Sequence, residues 1–145
     1  VTILDNTTTA MTGHQPNPGT GLTAAGEPTV QVSLEEIVKA LGAGFVETVD
    51  PYRLDETIES FARAKEYPGL SVIISRRPCV IKARKIAGRS KPFQVNKECA
   101  GCKSCVNFGC PAIEFENDMA KINSLCTGCG VCAAICPANA ITEVV

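Results

Sequence analysis

Cys99-x2-Cys102-x2-Cys105-x4-Cys110-Pro111, followed by Cys126-x2-Cys129-x2-Cys132-x3-Cys136-Pro137, takes up eight of the nine cysteines in this 145-residue chain. Three thiolates at i, i+3 and i+6 can wrap one face of a cube, and the fourth corner must come from elsewhere. A tetrahedral zinc site uses two Cys-x2-Cys pairs, so a third cysteine beyond each pair is surplus to it. A disulfide framework would suit a small secreted domain. Nine cysteines would leave one unpaired, however, and nothing at the N-terminus reads as a signal peptide. Tight thiol triplets without an export signal fit a reducing cytosol, where thiolates stay available for metal. The spacing therefore points to a pair of cubane iron–sulfur clusters and to one-electron transfer in the cytoplasm.

The second run matches the pattern of bacterial two-cluster ferredoxins residue for residue, and in that pattern the fourth cysteine ligates the other run's cluster. The resemblance implies cluster I on Cys99, Cys102, Cys105 and Cys136, and cluster II on Cys126, Cys129, Cys132 and Cys110. The first run departs from the pattern by one residue, with Val106, Asn107, Phe108 and Gly109 where three are usual. Gly109 is able to absorb the extra residue in a conformation that other residues resist.

A two-cluster ferredoxin needs only about 55 residues, because its clusters replace much of the core that so short a chain cannot build. Residues 93–145 suffice. Nothing in the sequence approaches the roughly 20 apolar residues of a membrane span, so no membrane is expected. The chain begins at Val1 with a strand-like stretch, as if cut through something larger. The net charge of −1 conceals three blocks. Residues 1–75 carry four Lys/Arg against ten Asp/Glu, residues 76–92 carry seven basic residues and no acid, and residues 93–145 carry three against five. The basic block (Arg76, Arg77, Lys82, Arg84, Lys85, Arg89, Lys91) reads as a solvated linker docking on two acidic modules. A pyrophosphate or acidic-partner contact is the sharper reading. Nucleic acid is not expected, since the block has no interleaved aromatics and the remainder is acidic.

Upstream, Val1 to Leu4 is uniformly apolar enough for a buried parallel strand. A polar segment from Asp5 to Pro28 follows, with Pro16, Pro18, Gly13, Gly19, Gly21 and Gly26 and no regular period. Loops of that length inside compact domains are usually functional or disordered. Ser33 and Glu36 form a capping box for a helix whose apolar face is Leu34, Ile37, Val38 and Leu41. Phe45 to Val49 reads as a strand. Leu54, Ile58, Phe61 and Ala62 make the stripe of a second helix, stopped at Pro68-Gly69, and Leu70 to Ser75 is a third strand. Alternating strands and helices argue for a parallel α/β sheet. Ligands bind beyond the carboxyl ends of such strands, where the long loop leaves the first one.

The stretch Asp5 to Gly19 resembles the second half of the thiamine-diphosphate motif of 2-oxoacid:ferredoxin oxidoreductases. More narrowly, it is similar to the large (α) subunits of indolepyruvate:ferredoxin oxidoreductases, which carry a fused two-cluster ferredoxin. Ser75 to Cys79 and the x4 spacing before Cys110 share the likeness, which spans the whole chain and about the last quarter of such a subunit. It implies an α/β fold class: residues 1–78 as the C-terminal part of a thiamine-diphosphate-binding parallel-sheet domain, 79–92 as a basic linker, and 93–145 as an α+β ferredoxin-type domain with two [4Fe–4S] clusters. It also implies that Asn6 and the Thr8 carbonyl are half of a Mg2+ site, whose Gly-Asp half would precede Val1. Oxygen ligands are what Mg2+ requires. Thr12, Gly13 and Gln15 match the loop closing over the cofactor, and His14 lies where it would face the substrate carbonyl or the diphosphate. Cys79 reads as a small buried residue.

The reaction implied is oxidative decarboxylation of an aryl 2-oxoacid such as indolepyruvate, with coenzyme A, electrons leaving through the clusters to an external ferredoxin. The implied partners are the upstream part of the same subunit and a β subunit. The rival reading is an accessory ferredoxin-type module without catalysis, for which the loop at 5–19 would be superfluous. A third keeps the enzyme class with pyruvate or a branched-chain 2-oxoacid as substrate.

Overall fold

The structure, a computed structural model, describes residues 1–144 apart from Ala10 and Thr12. It falls into two units, Val1–Ile86 and Ala87–Val145.

In the first unit, β1 (Thr2–Asp5), β2 (Phe45–Val49) and β3 (Ser71–Arg76) form a parallel sheet in the order β1-β3-β2. Thr2 pairs with Ile73 and Phe45 with Ser71. Helix α1 (Leu34–Ala40) starts at Ser33, whose hydroxyl accepts the Glu36 N–H at 3.2 Å, so one half of the expected capping box is made. Helix α2 (Leu54–Glu66) packs on β2 and β3. Val38 and Ala43 meet Val72 and Ile74 to form the core, with Ile3, Leu34 and Val46 packed against it. The central strand is therefore the buried one. β1 lies at the sheet's edge and Leu4 is 82% exposed, against the expectation of a buried first strand. An apolar run selects a strand, but only the number of neighbouring strands decides how much of it is covered. Residues 80–87 of the expected linker are helical, as α3 (Val80–Ala87).

The second unit is framed by β4 (Phe93–Val95) and β7 (Ile141–Glu143), which pair antiparallel. Between them lie β5 (Ile113–Glu116) and β6 (Met119–Ile122), a hairpin turning at Asn117 and Asp118, both with positive φ. Two left-handed residues joining antiparallel strands make the turn whose twist suits a hairpin, and Asn and Asp tolerate it best. The one-turn helices α4 (Ser104–Asn107) and α5 (Val131–Ala134) carry the third cysteine of each run. The core consists of Cys105, Ala120, Cys132 and Ile141. Phe93, Val95, Ile113, Phe115 and Ile122 pack against it half-buried, and in a unit this small a bound group commonly completes such a core.

Candidate functional site

Each cysteine run bends around its own cavity, and the bends depend on left-handed residues. Gly101 (φ 64°) and Gly128 (φ 73°) sit between the first two cysteines of their runs. A Cβ on Gly101 would meet the Asp118 carbonyl oxygen at 2.8 Å, and one on Gly128 would strike the Lys91 carbonyl. Neither position has room for a side chain. Lys103 (φ 62°) and Gly130 (φ 76°) occupy equivalent positions one residue before α4 and α5.

The first cavity, with about 350 Å³ of free space including its mouth, is lined by Cys99, Cys102, Cys105 and Cys136. The second, of about 550 Å³, is lined by Cys126, Cys129, Cys132 and Cys110. Each thus gathers three thiols from one run and the last thiol of the other. Among the described residues, no three Cys, His, Asp or Glu side chains converge as tightly as a single metal ion needs. Burial pushes the Cys132 thiol up to about 11, and the thiolates of Cys129, Cys126 and Cys110 push the same way. Burial likewise raises Cys105, with Cys136 and Cys99 adding to it. Thiols that resist ionisation because they are buried, and to a lesser extent because they crowd one another, are stabilised as thiolates by a cationic core among them, so both sets fit an iron–sulfur cluster. Backbone N–H groups already point at the sulfurs. Phe93 and Gly128 donate to Cys126 Sγ, each at 3.5 Å, and Ala140 donates to Cys136 Sγ at 3.3 Å. At Cys102, which is exposed, the Ser104 hydroxyl lowers the thiol's pKa.

The α/β unit places its candidate residues beyond the carboxyl end of β1. Asn6 is exposed, and its amide oxygen accepts the Thr8 N–H at 3.1 Å. Thr8 is buried, with its hydroxyl on the Gln15 carbonyl at 3.3 Å. Thr9 and Gln15 exchange backbone hydrogen bonds and close the loop between them. Gly13 (φ 117°) and His14 (φ 65°) form the turn inside it, while Thr12 lies outside the described residues. The His14 ring reaches Cys79, with Nε2 at 3.7 Å from Sγ, and the Cys79 N–H donates to the Asn6 carbonyl at 2.9 Å. Two residues read separately in the sequence thus meet across 65 positions. Asn6 and Thr8 supply oxygen donors of the kind a magnesium diphosphate requires, and to that extent the site fits.

Sequence reasoning missed the framework beneath this loop. Arg76 binds Asp5 at 2.7 Å and forks onto both oxygens of Glu35 at 2.7 and 3.1 Å. Arg77 pairs with Asp50 and lies 4.2 Å over the Tyr52 ring, and Lys82 Nζ donates to the Thr7 carbonyl at 3.3 Å. The hydrogen bonds from Arg76 hold the Glu35 carboxyl down at about 2, against the opposing pull of burial. That pair stabilises the unit in full above the unfolded value near 4.5 and loses its contribution as pH falls toward 2, in all about 1–2 kcal/mol after solvent screening. The signal available in the sequence was the run of basic residues set against an acidic remainder.

A parallel α/β sheet with a polar loop at its carboxyl edge, and a small unit built around two thiol cavities, match two kinds of family model. The description "Thiamine pyrophosphate enzyme, C-terminal TPP binding domain" covers residues 1–75, and "4Fe-4S binding domain" covers 96–113 and again 119–142. The chain belongs to the thiamine pyrophosphate enzymes through their C-terminal TPP-binding domain, with an iron–sulfur module following it. The cofactors that go with these modules are two [4Fe–4S] clusters and thiamine diphosphate with its magnesium ion. Among individual proteins, it is 46% identical over 144 residues to "Indolepyruvate oxidoreductase subunit IorA" of Archaeoglobus fulgidus, covering 96% of this chain and 23% of that protein. With the IorA subunit of Pyrococcus abyssi it shares 48% over 153 residues, 99% of this chain and 24% of that one. "Pyruvate synthase subunit PorD" of Methanocaldococcus jannaschii is 45% identical over 58 residues, 37% of this chain and 66% of that protein. The chain therefore spans about a quarter of the length of the IorA relatives it matches. No solved structure matches it. No helix among the described residues is long and apolar enough to cross a membrane.

Proposed function

We propose that this chain is part of a cytoplasmic, thiamine-dependent 2-oxoacid:ferredoxin oxidoreductase that acts on aryl pyruvates such as indolepyruvate, with coenzyme A. In this reading the protein works with the upstream part of its own subunit, a β subunit and an external ferredoxin. The observation that carries the reading is the partition of eight thiols into two cavities, each with one cysteine borrowed from the other run, directly after a TPP-binding module. Residues 1–78 serve as the end of the TPP-binding domain, 79–92 as the basic connection and 93–145 as the ferredoxin domain.

When bound, thiamine diphosphate supplies carbanion chemistry, and the clusters accept single electrons. The chain's own residues have simpler tasks. Cys99, Cys102, Cys105 and Cys136 hold cluster I, and Cys126, Cys129, Cys132 and Cys110 hold cluster II. Asn6 and the Thr8 carbonyl offer magnesium two oxygens. Gly13, Gln15 and Thr12 close over the cofactor, and His14 faces the substrate carbonyl or the diphosphate with its ring steadied by Cys79. The Arg76 fork keeps β1, β3 and α1 in register beneath that loop.

The likeness to PorD over 58 residues favours a second reading, a ferredoxin-type module alone. One experiment separates the two. In the complete enzyme, Asn6→Ala lowers affinity for magnesium and thiamine diphosphate by about 10–100-fold, as loss of a ligand or its supporting shell commonly does. Excess cofactor restores part of the activity and the iron content is unchanged. Wild-type activity at limiting cofactor would remove Asn6 from the magnesium site, and a complete protein with no 2-oxoacid-dependent turnover would leave only the electron-transfer module.

A further inference from the structure

The two cysteine cavities differ most in charge. Of all the side chains lining either one among the described residues, only Lys103 is charged, and it lies at the first cavity. Its ammonium sits 4.6 Å from the centre of the Phe115 ring, itself part of the same lining. No carboxylate among the described residues pairs with it. Glu98 lies close by in the sequence and the Asp118 carbonyl stands against Gly101, but both residues are exposed and line neither cavity. The second cavity carries Gly130 at the equivalent position and is otherwise lined by apolar residues, thiols and Thr127.

The backbone sharpens the contrast. Lys103 has φ 62°, a left-handed conformation that glycine adopts freely and a lysine does not. A strained residue persists only where its surroundings hold it, and such outliers gather at functional positions. Here the face of Phe115 holds it, through attraction between the cation and the ring.

We infer that Lys103 sets the order of the two redox centres: the cluster held by Cys99, Cys102, Cys105 and Cys136 has the higher reduction potential, and the first electron taken up resides there. This rests on the cluster ligation of the proposed function. Reduction adds one negative charge to a cluster. A cation at its edge favours the reduced form, even though Lys103 is exposed and water screens part of the attraction. Among the described residues no charged side chain lines the second cavity; Lys91 meets Gly128 through its carbonyl and is exposed. The centre favoured by Lys103 is also the one with the exposed ligand, Cys102, so electrons collect where a partner can reach them.

The test is a mediated redox titration of the protein with both clusters loaded, reduced by titanium(III) citrate and followed by electron paramagnetic resonance. Cys102→Ser identifies the signal of the first cluster by changing its g-values. Lys103→Met lowers that cluster's reduction equilibrium constant by about tenfold, or about 59 mV, and leaves the other unmoved. Lys103→Gly relieves the backbone strain yet shows the same loss, whereas Lys103→Arg keeps the wild-type potential. The proposal is overturned if the signal changed by Cys102→Ser has the lower potential. Unchanged potentials in both the Met and Gly variants, or an Arg variant as low as Met, overturn it equally. Iron and sulfide analysis showing fewer than two clusters overturns the ligation beneath it, and the proposal with it.

Discussion

The two cysteine runs make the same bend with different residues. At the left-handed position before the short helix the first run has Lys103 and the second Gly130, with φ of 62° and 76°. Between the first two cysteines both have glycine, because in each case a neighbouring carbonyl stands where a Cβ would go. The first run needs four residues to return to its last cysteine, and Gly109 (φ 80°) takes up the extra one; the second needs three. The glycines at 101 and 128 are demanded by packing. At 103 and 130 no carbonyl blocks a Cβ, although one at Gly130 would press on the Phe93 ring at 3.3 Å, and there the runs diverge in charge. Geometry shared by both runs therefore reports what any such thiol cavity requires, and the point of divergence reports what distinguishes one from the other.

Crossing of the ligands is where that comparison breaks most visibly if it is wrong. Cys136→Ser should abolish or transform the cluster of the first run, and Cys110→Ser that of the second, with loss of up to half the iron in either variant. Each serine perturbing only the cluster of its own run, by resonance and Mössbauer spectra, would undo the partition.

Substituting the paired glycines comes next. Gly128→Ala drives a methyl against the Lys91 carbonyl and the Ser90 side chain in a left-handed conformation. It should cost about 2–4 kcal/mol and impair loading of the second cluster. Gly101→Ala, facing one carbonyl at 2.8 Å, should do the same to the first cluster, and less severely. Thermal melts and iron content measured side by side would expose an error if Gly128→Ala proves the milder change.

At Gly130 the comparison can be run in reverse. Gly130→Lys installs in the second run what the first already has, at a Cβ position 3.3 Å from the Phe93 ring. The second cluster's reduction equilibrium constant should rise by a few-fold, less than tenfold because the Phe93 ring must shift to admit the added side chain. A potential that stays put would detach charge at this position from redox tuning.

Smallest of all should be Gly109→Ala. Nothing lies within 4 Å of the added methyl, so only the left-handed backbone resists it. A loss of about 1 kcal/mol with both clusters intact is expected. Loss of the second cluster in this variant would mean that the four-residue spacing is as tightly fitted as the glycines at 101 and 128.

The cysteine spacing, Ser33 as the cap of α1, the strand at Phe45–Val49 and the helix from Leu54 were all legible in the sequence, because each depends on residues only a few positions apart. The order of a TPP-binding module and an iron–sulfur module came from the resemblance of whole motifs to known families, and the family models match in that order. The exposure of β1 was not legible, since an apolar tetrapeptide does not count its neighbours. Nor was α3, whose helical stripe is hidden among basic residues that suit a linker equally well.

By itself, then, the order of residues along the chain decided which thiols are grouped for metal and which segments suit a sheet, because those demands are written in local spacing. Tertiary structure alone decided that Cys79 meets His14, that Arg76 ties Asp5 to Glu35, and that Lys103 rests on Phe115 beside one cavity and not the other. Those contacts join residues from 12 to 71 positions apart. No local preference encodes them. They exist because the folded backbone brings distant segments within a few ångströms, where a charge or a ring acts at full strength.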